Sequence, residues 1–223
     1  MLPRQQLDSI YRQLAGVCGL DDHARHELIE ERGFPQALDG GAIYFSLPRS
    51  GSQNAEISEQ LIAEFGLDTI GRVPGFTVCC KECGGLGSNS DRPCNPCSGL
   101  GARRPRFRSA RAGSHDFAAL ASDEEGRVFW GTSRKLPFDP QTETGKYRLL
   151  SSSRGMDASL AGLAKYHVAG RSFVHREVWI TEGIIKAEIT ACHLHWPVIG
   201  LATAQPDDAT TAAVRSLIRG WTA

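Results

Sequence analysis

Seven cysteines occur in the chain, and five of them fall between positions 79 and 97. Cys80-Lys-Glu-Cys83-Gly-Gly-Leu-Gly and Cys94-Asn-Pro-Cys97-Ser-Gly-Leu-Gly are two copies of one pattern, CxxCxGxG. A CxxC pair places two thiolates on one side of a tight turn, and the glycines that follow leave backbone amides free to approach sulfur. Two such pairs supply four soft ligands, Cys80, Cys83, Cys94 and Cys97, for a tetrahedral structural Zn²⁺ ion. An iron–sulfur cluster or a redox dithiol is the competing reading. Residues 71–105 hold many Gly, Pro, Ser and Asn and few large apolar side chains, so they cannot build a core alone. Metal binding on the order of 10–16 kcal/mol would order them. Cys79 falls outside the repeat register, and Cys18 and Cys192 read as small buried apolar residues.

Next to the cysteines stand Arg103, Arg104, Arg106, Arg108 and Arg111, with Phe107 among them and no acid from Arg92 to His115. Arginine forks match phosphate oxygens and an aromatic ring can stack on a base, so the stretch reads as a nucleic-acid contact. The alternative is an arginine-rich segment that makes local ion pairs with the acidic N-terminal helices.

Glu182 ends the apolar run Val178-Trp-Ile-Thr and precedes Gly183 at the mouth of a helix, with Lys186 one turn further on. A carboxylate at a strand C-terminus can hold Mg²⁺ or act as general acid or base. A helix-capping acid, favourable to the dipole, is the plainer reading. Lys186 is close enough to pair with Glu182 or to reach a phosphate. His193 and His195 form an HxH, which can ligate metal on a strand but here reads as a surface pair near a helix end.

These residues need elements to hold them. Leu7, Ile10, Tyr11 and Leu14 recur at helical spacing up to Gly16, and a helix over 22–32 follows, capped by Asp21 or Asp22. Residues 42–47 read as a strand, and 55–66 as a helix with Ile57, Leu61, Ile62 and Phe65 on one face. Strands are expected at DFAALAS and GRVFWGTSRKL, joined by the turn DEEG, and at 146–153. The alternation of strand 177–183, helix, strand 196–204 and a final helix capped by Asp207 or Asp208 implies parallel strands with a crossover. The fold class is α+β: a helical N-terminal segment (1–75), an inserted four-cysteine zinc knuckle (76–104), a mixed sheet (105–175) and a partial α/β unit (176–223).

The chain has 223 residues, 25 basic and 25 acidic, with 41% hydrophobic and 22% charged residues, which argues against global disorder. Zero net charge hides an asymmetry. Residues 1–70 carry 11 acids and 5 bases, and 71–111 carry 2 acids and 8 bases. No run is apolar enough to span a bilayer and no leader pattern opens the chain, so no membrane partner and a cytoplasmic location are expected.

The CxxCxGxG copies resemble the cysteine-rich domain of type I J-domain co-chaperones, which carries four. The likeness covers about 22 residues, and no His-Pro-Asp tripeptide is present, so it supports zinc rather than chaperone activity. A broader resemblance runs over about residues 30–205. GRVFWGTSRKL (126–136), GKYRLLSSS (145–153), VWITEGIIKAEITA (178–191) and PVIGLATA (197–204) resemble, in order, the motifs of Toprim-containing primases of bacteria and mobile elements. The upstream ERGF and RVPGF fit the mobile-element proteins.

That resemblance implies a Toprim glutamate at Glu182 and a template-lining surface made of Arg134, Lys146, Tyr147 and Arg148. It also implies single-stranded DNA or an RNA/DNA hybrid as partner, a replicative helicase as a second partner, and Mg²⁺-dependent nucleotidyl transfer in replication of a phage, plasmid or integrated element. The family's Asp-x-Asp is missing, so the site is incomplete and the chain is expected to be a fragment or a shortened relative, with strand 197–204 at an edge lacking a neighbour. The alternative function is a non-catalytic zinc-dependent module that binds a helicase, another replication protein or unfolded clients.

Overall fold

A computed structural model describes residues 2–34, 43–79, 88–89, 92–93, 102–139, 141, 145–150, 163–170 and 177–221. The N-terminal helices form where expected. Helix α1 (Arg4–Cys18) buries Leu7, Ile10, Tyr11 and Leu14 and runs past Gly16 to stop before Gly19, whose φ of 62° a side chain would resist. Helix α2 (Asp22–Ile29) is capped by Asp21, whose carboxylate accepts from the Ala24 amide at 2.8 Å, and it is shorter than its sequence pattern.

Strand β1 (Ile43–Ser46), helix α3 (Gly51–Phe65) and the short helix α4 (Leu67–Gly71) follow. Ser50 caps α3 by accepting from the Gln53 amide. Next come β2 (Phe76–Cys79), β3 (Ser88–Asn89), β4 (Arg92–Pro93) and β5 (Ala102–Phe107). β2 pairs with β5, and β3 with β4, both antiparallel.

The main sheet adds β6 (Phe117–Ser122), β7 (Val128–Arg134) and β8 (Tyr147–Leu149) in the order β1-β6-β7-β8. The sequence reading expects a mixed sheet here; every pairing in it is antiparallel. The β6–β7 turn closes on Asp123, whose Oδ1 accepts from the Glu125 and Arg127 amides.

The mixed sheet is the second one. It holds β9 (Tyr166–Ala169), β10 (Trp179–Glu182) and β11 (Val198–Leu201), with helix α5 (Ile184–Leu194) crossing from β10 to β11 and helix α6 (Asp208–Trp221) after it. β10 and β11 are parallel, as the strand–helix–strand pattern requires, and β9 is antiparallel to β11. The expected edge strand is therefore corrected. β11 is central, because β9, a strand the sequence reading omits, fills its far side.

Asp207 caps α6, accepting from the Thr210 amide at 2.8 Å. One apolar cluster joins Leu7 and Leu14 of α1, Phe45 of β1, Trp130 of β7, Val168 of β9, Ile184 of α5 and Val214 of α6. No helix is long and apolar enough to cross a membrane among the described residues.

Candidate active-site cleft

The turn from β10 into α5 sets the first wall. Gly183 breaks the strand at φ 89°, and its amide donates to the Leu201 carbonyl at 2.7 Å. Glu182 thereby ends its strand exposed, and Lys186 stands exposed one turn along α5. Among the described residues neither side chain has a hydrogen-bond or ion-pair partner, so both point their charge at solvent. Helix α5 lies hard against β11 at Gly200, where a Cβ would meet the Gly183 carbonyl at 2.8 Å and the Ala187 methyl at 2.9 Å. Glycine is required there by space, and that contact sets the height of the Glu182–Lys186 turn above the sheet.

The second wall comes from the antiparallel sheet. Trp130, Thr132 and Tyr147 face Glu182, Gly183 and Lys186 across a cleft of about 300 Å³, with Ala202 and Thr203 beyond β11 closing one side. The cleft is of the size that small-ligand sites have. The Trp130 indole N–H donates to the Tyr166 carbonyl at 2.6 Å and so fastens β7 to β9. A second fastening is fully buried. His167 meets Glu188 of α5 at 2.8 Å through Nε2, while its Nδ1 accepts the Ser122 amide at 3.0 Å. The ring is therefore the neutral tautomer that carries its proton on Nε2. Of the cleft residues, Glu182, Lys186 and Tyr147 are legible from motifs. Trp130, Thr132 and Thr203 are brought in only by the packing of one sheet on the other.

The basic residues fall into two groups. Three are held by carboxylates or carbonyls of this chain. Arg106 reaches Glu59 of α3 at 3.4 Å. Arg111 holds Asp116 and donates to the Pro137 carbonyl. Arg134 is buried against Glu27 and donates to the Tyr147 hydroxyl at 3.0 Å. For Arg106 this is the alternative weighed from sequence, ion pairing with the acidic N-terminal helices; Arg134, expected on the template-lining surface, pairs with helix α2 as well. Lys146, Arg108 and Arg148 have no carboxylate partner among the described residues. Burial, then the charges of Arg134 and Arg32, hold the Lys146 pKa below its ordinary value.

Strand alternation also divides the expected template surface. Arg134 pairs in register with Tyr147, and Ser133 with Arg148, so Arg148 projects from the opposite face of the β7–β8 pair. Arg103 and Arg104 lie on β5, which pairs with β2.

Cys80, Cys83, Cys94 and Cys97 fall outside the described residues. Among the described residues no group of three or more His, Cys, Asp or Glu side chains is placed to hold a metal ion, so Glu182 offers a single carboxylate. His195 closes α5 in the left-handed conformation, φ 55°, and His193 sits in its last turn.

No family model matches the chain, and no curated protein matches it. Solved structures do. The chain is similar to the RNA polymerase domain of Mycobacterium tuberculosis primase DnaG in complex with a double-stranded DNA oligomer with a 6-nucleotide overhang: 14% identity and TM-score 0.58, covering 98% of this chain and 60% of that one. It is similar to the zinc-binding and RNA polymerase domains of the Aquifex aeolicus primase, at 15% identity and TM-score 0.53, covering 96% of this chain and 46% of that one. It is also similar to a DnaG primase catalytic domain bound to single-stranded DNA, at 14% identity and TM-score 0.52, covering 96% and 58%. The fold is therefore primase-like. This chain spans at most about 60% of these three structures.

Proposed function

We propose that this chain is a primase-like nucleic-acid-binding protein of DNA replication, and that single-stranded DNA or an RNA/DNA hybrid enters the cleft between Tyr147 and the Glu182–Lys186 turn. The observation that carries the reading is the meeting, in a primase-like fold, of a free carboxylate, a free ammonium and exposed aromatic surface in one cleft. Lys186 takes a backbone phosphate and Tyr147, 41% exposed, offers a stacking face for a base.

Glu182 is the residue of this cleft that fits a divalent cation. Mg²⁺ is commonly held by one or two carboxylates together with substrate phosphates. Nucleotidyl transfer would follow only where further carboxylates join Glu182. The setting is replication of a phage, plasmid or mobile element, and the parts are a helical segment (1–75), a zinc knuckle (76–104), a primase-like β part (105–175) and a partial Toprim unit (176–223).

For the knuckle, Cys80, Cys83, Cys94 and Cys97 hold a structural Zn²⁺ in this reading. Two ladders support it. Cys79 is in register with Ala102, and Ser88 with Pro93, so described residues that flank the CxxC segments in sequence are paired. Arg103 and Arg104 follow directly and belong to the same nucleic-acid-facing stretch.

Fluorescence anisotropy with a labelled single-stranded oligonucleotide tests the reading. Affinity should fall steeply with salt, since phosphate contacts release counterions. Lys186→Ala and Tyr147→Ala should each weaken binding about tenfold. Affinity indifferent to salt and to both substitutions would overturn it.

A non-catalytic interaction module is the second reading, and one feature favours it. Trp179 and Ile180 are 54% and 51% exposed on β10, a strand paired on one side only among the described residues. A replication protein such as a helicase could add a strand there. Loss of helicase binding in Ile180→Lys, with oligonucleotide binding intact, would support this second role.

A further inference from the structure

Arg108 and Arg148 come from distant parts of the chain and both touch the Ser133 hydroxyl, Arg108 through its guanidinium and Arg148 through its backbone carbonyl. Ser133 of β7 is the cross-strand partner of Arg148 in β8, so both side chains stand on one face. Ser133 Oγ donates to the Arg148 carbonyl at 3.4 Å, and Arg108 Nη1 donates to the same Oγ at 3.5 Å. Ser133 is buried, Arg108 half-buried and Arg148 exposed. Among the described residues no carboxylate pairs with either arginine, although Arg106, Arg111 and Arg134 each have one.

Two unneutralised arginines gathered around Ser133 on one sheet face repel each other. Arg108 reports it: its pKa is lowered by burial and then by the Arg148 charge. An anion between the two would remove the repulsion, and the oxygens of a phosphate match two guanidinium forks. Alternation along β8 puts this place on the sheet face opposite Tyr147, and thus outside the cleft.

We infer that Arg108 and Arg148, with Ser133 as the positioning residue between them, form a phosphate-binding site separate from the cleft. Its ligand chemistry is a phosphate group, supplied either by free inorganic phosphate or by a phosphodiester of bound polynucleotide. The polynucleotide source rests on the proposed function; the phosphate site does not.

The test uses the full chain in two arms. In the first, arginine Nε–H resonances are followed by NMR during titration with inorganic phosphate against chloride of matched ionic strength. Two arginine signals should shift and saturate, and both responses should vanish in Arg148→Gln. In the second arm, anisotropy with an oligo-dT strand compares Arg108→Gln, Arg148→Gln, the double variant and Lys186→Ala. Each single arginine variant should weaken binding about fivefold and lower the salt slope by about 1. The double variant should be little weaker than either single, because both groups grip one anion. Circular-dichroism melts of the variants check that the fold survives.

A phosphate response with oligonucleotide affinity unchanged keeps the site and assigns it to free phosphate. No phosphate response, with Arg148→Gln binding DNA as well as the parent, overturns the site even where Lys186→Ala still loses affinity. In that last case the cleft reading stands alone. A phosphate response in a protein that binds no oligonucleotide keeps this site and sinks the cleft reading.

Discussion

The Trp130 indole N–H and the Tyr166 carbonyl lie 2.6 Å apart, and with the Ser122–His167 bond they join the antiparallel sheet to the three-stranded one. Both walls of the cleft hang on that junction, since Trp130 lines it from one side and β9 supports β11 on the other. Trp130→Phe keeps an aromatic ring but leaves the carbonyl without its donor. The expected cost is about 1–3 kcal/mol, read as a lower urea midpoint with unchanged slope. An unchanged midpoint would mean that the bond contributes nothing.

The pair formed by Arg134 and Glu27 ties β7 to α2 with both side chains mostly buried. Arg134→Met alone leaves the Glu27 carboxylate to Arg32, whose Nε donates to it at 2.9 Å. The structure predicts a loss of about 1–3 kcal/mol for the single variant, and a loss in Arg134→Met with Glu27→Gln that is smaller than the sum of the two single losses. A double-variant loss equal to that sum, measured by denaturant titration, would refute the coupling.

Asp123 sets an acid limit. Burial acts to raise its pKa, but the Arg127 amide and the Arg4 and Arg127 guanidinium groups outweigh burial and hold the carboxyl below the usual range. A carboxyl depressed in the folded state stabilises the protein above its unfolded pKa of about 3.9, and that stabilisation is lost as pH falls through the lower folded value. Melting temperature should therefore drop below about pH 4, and Asp123→Asn should be less stable at neutral pH with a shallower acid slope. Parallel pH profiles for the two proteins would exclude Asp123 as the source.

Gly200→Ala should cost about 1–3 kcal/mol, because the added methyl meets backbone and the Ala187 methyl rather than a pliable side-chain end. Since the same contact carries the Glu182–Lys186 turn, its oligonucleotide affinity should fall along with stability. Lost stability with intact affinity at low temperature would separate the two.

For the cysteine segment, metal analysis of protein purified without added metal should find one Zn²⁺ per chain, reduced in Cys80→Ser and in Cys97→Ser. Iron with visible absorption would point to a cluster instead, and absence of any metal would sink both.

Local signals carried much of this architecture. Helix α1 follows from the spacing of Leu7, Ile10, Tyr11 and Leu14, and the β6–β7 hairpin from Asp123 and Gly126 between apolar runs. The Glu182–Gly183 strand end was legible for the same reason. Strand β9 was not. It has four residues, and its buried His167 reads as polar until Ser122 and Glu188 satisfy it from 45 and 21 positions away. The arginines divide by a similar rule. Nothing near Arg134 announces Glu27, 107 positions earlier, yet that acid decides whether the guanidinium meets solvent. Sides of a strand were readable in principle, and alternation from Tyr147 to Arg148 would have split the expected basic surface.

Strand β1 forms one border of the main sheet, hydrogen-bonded along its length to β6, and the helices around it share the apolar cluster that reaches α6. A shortened polypeptide starting at Phe76 would therefore bare the flank of β6 and half of that cluster at once. Calorimetry of the intact chain should register the first 75 residues and the sheet melting as a single event, with the amino-terminal third acting as ballast the remainder cannot shed.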